Sequence, residues 1–285
     1  MNAYKRLPPS LARFTGLFAT AFGWLYIGAV FVFLLGPFAI ILVTSFSSGR
    51  TLRFPPPGLS LQWYHRFLDH LAGAAGTRPG LVAALVTGTM VAASASALAV
   101  VVGVLAAYAL ARGRLLGRDV VRQVFVLPII FPQIVTGIGL LVFFSYLGLF
   151  GPIERLVIGH AILCLPFVLL IIAANFELFD PAVEEAALGL GARPLQTFFL
   201  ITLPLILPGL LAATAFSFII SFTNFTVTFF LVSGGVKTLP IWVFEVIEHF
   251  LDPFVAVISV TLLAMTVVIV LIINRLLGIA RLFYG

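Results

Sequence analysis

"EEAALGLGARPLQTFFLITLPLILPG" (Glu184–Gly209) sets two adjacent carboxylates, paired alanines and spaced glycines between long apolar runs. The whole chain holds only 10 acidic residues, so a pair of them marks a segment with its own task. Just before it, Asp180 followed by Pro181 reads as a helix start, an N-cap carboxylate and then proline at the first helical position. Glu184 and Glu185 then fall near the positive end of that helix, which favours them. Ala182, Ala186 and Ala187 are small and good helix formers, Gly189 and Gly191 stop the helix, and Pro194 starts another. The region 180–204 is expected to be a short helix, a glycine turn and a second helix at a membrane surface. Its small residues permit close approach by a groove on a partner protein. Glu185 is expected to touch that partner, and Glu184 to be its solvated neighbour.

The surroundings of this knob define the class. Hydrophobic residues make up 62% of the 285-residue chain and charged residues 9%, against about 45–50% and about 25% in an ordinary globular domain. One soluble core has no room for that much apolar surface, so the expected fold is an all-α membrane protein. A spanning helix needs about 20 apolar residues. Stretches free of Asp, Glu, Lys and Arg place six transmembrane helices near 22–46, 81–111, 122–146, 156–178, 205–231 and 254–275, in a single membrane domain over 1–285. The first run is too long for a cleaved signal peptide. No low-complexity tail or internal repeat stands out.

Orientation follows from Lys and Arg in the short flanks. With a cytoplasmic N-terminus, the inside segments hold Lys5, Arg6, Arg13, Arg112, Arg114, Arg118, Arg122, Arg193, Arg275 and Arg281. The outside segments hold Arg50, Arg53, Arg66, Arg78, Arg155 and Lys237. The dense run "RGRLLGRDVVR" (112–122) carries much of the bias. Both termini and the 180–204 region are then inside. Basic residues that cluster at span ends explain the net charge of +6 without nucleic acid. Outside, Pro55–Pro57 forbid helix, and "LSLQWYHRFLDHL" (59–71) is expected to form a short helix with Trp63 and Tyr64 at the interface.

No catalytic constellation is present. The chain lacks G-x-x-x-x-G-K-[ST], so it has no phosphate-cradling loop for ATP. It lacks H-E-x-x-H, its histidines (His65, His70, His160, His249) are scattered, and its serines lack a nucleophile elbow. The single Cys164 excludes a disulfide framework and reads as packing. No cofactor and no metal is expected on this chain; energy must come from another.

Two polar patterns remain. Ser217, Ser221, Asn224 and Thr228 recur at i, i+4, i+7 and i+11, one face of the fifth span, with Thr214 at its edge. Such a face lines a translocation path or packs against another helix. In "IWVFEVIEHFLD" (241–252), Glu245, Glu248 and Asp252 share one helical face and Trp242, Val246 and Phe250 another. This outer acidic face is either the solvated side of a surface helix or a vestibule for a cation or a docked partner.

The spacing Glu185-Ala186-Ala187, three residues, Gly191, nine residues, Ile201-Thr202-Leu203-Pro204 resembles the permease signature of bacterial ABC importers. "HAILCLPFVLL" (160–170), "KTLPIWVF" (237–244) and "FPPPGLSLQWYHRFL" (54–68) are similar to segments of spermidine/putrescine-type permease subunits. The resemblance implies a type I ABC importer permease fold with cytoplasmic coupling helices in the bacterial inner membrane. It implies that Glu184, Glu185, Ala186, Ala187, Gly191, Ile201, Leu203 and Pro204 dock an ATPase subunit, and that the fifth span lines the path. Partners would be a second, different permease chain, two ATP-binding subunits carrying ATP and Mg, and a periplasmic or lipid-anchored solute-binding protein. A polyamine or related organic cation is the implied substrate. "SFTNFTVTFF" (221–230) departs from the pattern, because polyamine permeases tend to carry acidic residues there. Related permeases serve opines, amino-acid derivatives, thiamine, ferric iron and phosphonates. A stand-alone secondary transporter is the competing class, with Glu177 the nearest intramembrane charge.

Overall fold

The computed structural model describes residues 9–73, 80–113, 115–249 and 252–284. Lys5, Arg6, Arg78, Arg114 and Phe250, which entered the charge and face readings, lie outside the described residues. The chain divides into two compact units, Met1–Phe67 with Leu251–Val260, and Leu68–Phe250 with Thr261–Gly285. Among the described residues the regular structure is helical, apart from one isolated bridge between Ser47 and Leu59.

In the first unit, α1 (Pro9–Ser45) contains the apolar span Thr20–Ser45, exposed along most of its described length. The chain then folds back on itself. Ser60 N–H donates to Phe46 O (2.6 Å), and Ser48 N–H to Gly58 O (2.9 Å). The proline run stays non-helical, and α2 (Gln62–Leu71) follows it. Trp63 is not an interfacial belt residue, because its ring is buried and its indole N–H donates to Gly49 O (3.2 Å). An indole N–H taken out of water needs an acceptor, and the folded-back loop supplies one.

In the second unit, α3 (Leu81–Arg112) and α6 (Pro152–Phe176) form the most extensive helix pair. Small buried residues recur along α3 at Ala84, Gly88, Ala92, Ala95, Ala99, Gly103 and Ala107. This spacing lets two backbones approach closely, which drives helix packing where water supplies no hydrophobic force. Gly103 shows the closeness: a Cβ there would lie 2.5 Å from Val168 Cγ1 of α6.

Two expected spans are bent. Residues 122–146 form α4 (Arg118–Ile130) and α5 (Gln133–Tyr146), bent by 109°. Pro132 cannot continue the hydrogen-bond ladder and disfavours helix at Phe131, which is extended. The expected span 205–231 is also interrupted. After α7 (Ala182–Gly189) and α8 (Pro194–Thr197), a π-helical turn (Phe198–Thr202) and α9 (Leu203–Leu205) lead into α10 (Leu207–Thr223) through a 72° bend at Ile206. Asn224 then turns extended and α11 (Thr226–Leu231) begins. The chain continues through α12 (Leu239–His249) and α13 (Phe254–Tyr284). Among the described residues three helices are long and apolar enough to cross a membrane, or up to five spans if each bent pair is one, with a shorter apolar helix at Phe254–Val268.

Candidate functional site: the hairpin of α7 and α8

Local chemistry builds the hairpin much as its composition dictates. The Asp180 carboxylate accepts from Ala182 N–H (2.9 Å) and caps α7. At the other end Ala192 N–H donates to Ala187 O (3.1 Å) and Gly191 N–H to Leu188 O (3.0 Å). This is the paired bonding of a Schellman turn. Gly191, not Gly189, occupies its left-handed position at φ +92°; Gly189 is the last helical residue. Gln196 Oε1 accepts from Arg193 N–H (2.9 Å) and fixes the entry to α8.

The two glutamates separate. Successive helix positions point about 100° apart, and Glu184 turns inward to 6% exposure while Glu185 is exposed. The expected solvated role of Glu184 is therefore corrected. Its Oε2 pairs with Arg112 Nε at 2.6 Å, and its Oε1 accepts from Thr202 Oγ1 at 2.5 Å. Arg112 lies over the rings of Phe179 (5.0 Å) and Phe176 (5.6 Å), and Tyr108 packs edge-on to Phe198 (5.0 Å). A buried carboxylate is tolerable only with charge and hydrogen-bond partners of this kind.

The apolar side chains that the hairpin leaves exposed are Ala186, Val183, Leu188, Leu190 and Leu195, beside the polar Glu185, Arg193 and Gln196. These valine and leucine positions were missing from the expected docking set. Their signal was the apolar character of these positions in a segment read for its alanines, glycines and carboxylates. Ala187 is half-buried. Ile201, Leu203 and Pro204 are half-buried too and lie on the lead into α10, away from the exposed tip.

The polar face expected on one continuous helix is broken at Asn224, yet its members converge. Ser217, Ser221, Asn224 and Thr228 are all buried within the chain. His160 of α6 joins Ser221 Oγ through Nδ1 (2.7 Å) and Thr228 Oγ1 through Nε2 (2.9 Å). Thr228 Oγ1–H donates to Asn224 O (2.7 Å), so in the neutral ring Nε2–H donates to Thr228 and Ser221 donates to Nδ1. Asn224 Oδ1 accepts from Val227 N–H (3.0 Å) and caps α11, while Ser217 donates to Ala213 O (2.7 Å). These side chains join α10 and α11 to α6, and Asn224 Nδ2 donates to Gln133 Oε1 of α5 (3.3 Å). Thr214, at the edge, is exposed.

The acidic face of 241–252 is also revised. α12 ends at His249, so Asp252 is not on it; it is buried at the start of α13, where its carbonyl accepts from Val255 N–H (3.2 Å). Glu245 pairs with Lys237 at 2.6 Å, and Glu248 is exposed. Among the described residues no three His, Cys, Asp or Glu side chains gather to hold a metal ion.

Comparison with known proteins agrees with this architecture. Residues 99–281 match the family model described as binding-protein-dependent transport system inner membrane component. The chain is 30% identical over 230 residues to the putrescine transport system permease protein PotI of Escherichia coli strain K12, covering 78% of this chain and 79% of that one. It is 28% identical over 246 residues to the spermidine/putrescine transport system permease protein PotC of the same strain, covering 86% and 90%. Its fold is similar to a chain of a bacterial ABC transporter involved in the import of the acidic polysaccharide alginate (TM-score 0.66, 19% identity, 96% and 99% covered). The chain belongs to the family of binding-protein-dependent transport system inner membrane components, the permease subunits of ABC importers.

Proposed function

We propose that this chain forms half of the translocation path of an importer for polyamine-class organic cations, driven by ATP hydrolysed on partner subunits. The observation that carries the reading is the α7–α8 hairpin. A fixed turn presents Glu185, Ala186 and four exposed aliphatic side chains, with a buried ion pair beneath them. A small-faced apolar knob with one free carboxylate suits a groove that offers apolar walls and a basic or amide group. Two ATP-binding subunits with Mg and ATP, one under each permease chain, would supply such grooves, and their closure would switch the path between inward-facing and outward-facing states. A second permease chain completes the path, and a periplasmic or lipid-anchored solute-binding protein delivers the solute. Both termini lie on the hairpin's side, the cytoplasm, in keeping with the lysine and arginine bias. The substrate class rests on likeness to the putrescine and spermidine/putrescine permeases along most of the chain.

The test is reconstitution of the whole complex with its solute-binding protein in liposomes, with labelled putrescine outside and ATP on the hairpin side. Uptake should require ATP and be competed by spermidine. Uptake that persists without ATP would overturn the coupling; ATP-driven uptake of another solute, indifferent to polyamines, would overturn only the substrate.

A further inference from the structure

A cavity of about 380 Å³ opens beside the root of the hairpin, between the last turns of α3 and α6 and the first turns of α4. Three arginines line it, Arg112, Arg118 and Arg122, with one carboxylate, Glu177. Arg112 spends its Nε on Glu184, and its Nη2 is buried without a hydrogen-bond partner. Arg118 and Arg122 lie one turn apart on α4 and make no ion pair among the described residues. With Arg112 balanced by Glu184, the wall keeps two arginine charges against Glu177, a surplus of one positive charge. The rest of the lining is apolar, Leu110, Leu169, Leu170 and Ala173 of the long helices with Phe179 and Pro181 of the segment after α6.

We infer that this cavity holds the phosphate-bearing headgroup of an anionic phospholipid from the leaflet on the hairpin side. One phosphodiester carries the single negative charge that the wall lacks. Guanidinium groups bind phosphate through paired N–H donors, and Arg112 Nη2 is a donor already desolvated. The acyl chains have a matching surface. α4 is two-faced, with Arg118 and Arg122 toward the cavity and Val120, Val124 and Leu127 exposed on another side at helical spacing. A soluble anion would use the arginines and leave that apolar wall idle; a phospholipid uses both. Basic pockets between membrane helices bind lipid headgroups by the same arithmetic.

The experiment titrates short-chain phosphatidylglycerol into the whole importer complex in neutral detergent, read by native mass spectrometry. Arg118→Ala with Arg122→Ala removes two exposed side chains that hold nothing else in place. Affinity should fall about fivefold per arginine, ~25-fold together. Arg50→Ala with Arg53→Ala, in the loop after α1, should bind as the parent does, and short-chain phosphatidylcholine should not bind at this site. Unchanged phosphatidylglycerol affinity in the α4 double variant overturns the inference. So does displacement of the lipid by millimolar inorganic phosphate, which identifies a soluble anion site. Loss of an ATPase subunit with lipid affinity intact overturns it in favour of a protein contact.

Discussion

Two ion pairs among the described residues have the same length, 2.6 Å, in very different settings. Arg112–Glu184 joins side chains that are 23% and 8% exposed, and Lys237–Glu245 joins side chains that are 41% and 38% exposed. The first has a third member in Thr202 and an aromatic bed; the second stands at the surface near the start of α12. Distance is therefore a poor guide to what a pair does. Exposed pairs contribute roughly 0–1 kcal/mol. In a buried pair the two desolvated charges roughly offset their own attraction, but removing one partner strands the other at a cost of about 3–5 kcal/mol. The first pair holds the hairpin in register, and the second is close to neutral decoration.

The comparison can be broken most sharply at Arg112. Arg112→Ala leaves the Glu184 carboxylate buried with only a hydroxyl, and the complex should lose about 3–5 kcal/mol of stability. It should be read as a large fall in thermal midpoint and in ATPase co-purification, with partial recovery on adding Glu184→Gln. No fall would place Glu184 in water. Gly191→Leu is the next largest. The site is open, so a side chain meets no clash, and the cost is the left-handed backbone alone, about 1–2 kcal/mol. The fold should survive while solute moved per ATP hydrolysed drops; an unchanged ratio would remove the turn from coupling. Lys237→Ala should shift the midpoint least, by under ~1 kcal/mol and less again at high salt. A loss rivalling that of Arg112→Ala would sink the distinction.

Much of this was legible residue by residue. Asp180-Pro181, Gly191 and Pro194 carry their meaning locally, because caps, left-handed turns and helix starts depend on a few neighbouring atoms. Glu184 did not, since its partners lie 72 and 18 positions away. The alanines of α7 also leave the buried side of so small a helix ambiguous. The breaks at Pro132 and Asn224 were present in the sequence as a proline and an N-cap asparagine, but each sat inside an apolar run long enough to read as one span. Hydropathy counts length and ignores where the hydrogen-bond ladder stops. The polar residues at 217, 221, 224 and 228 kept their common side despite the break, because His160 gathers Ser221 and Thr228 from two different helices.

The two oxygens of Glu184 end on different spans. One grips the last residue of α3, and the other grips Thr202, at the close of the π turn that leads into α10. Mechanically, α7 is a lever riveted at two points with no slack between them. A push on its tip would load α3 and the root of α10 together, through the two contacts of one side chain. A single carboxylate thus sets the gearing of the hairpin.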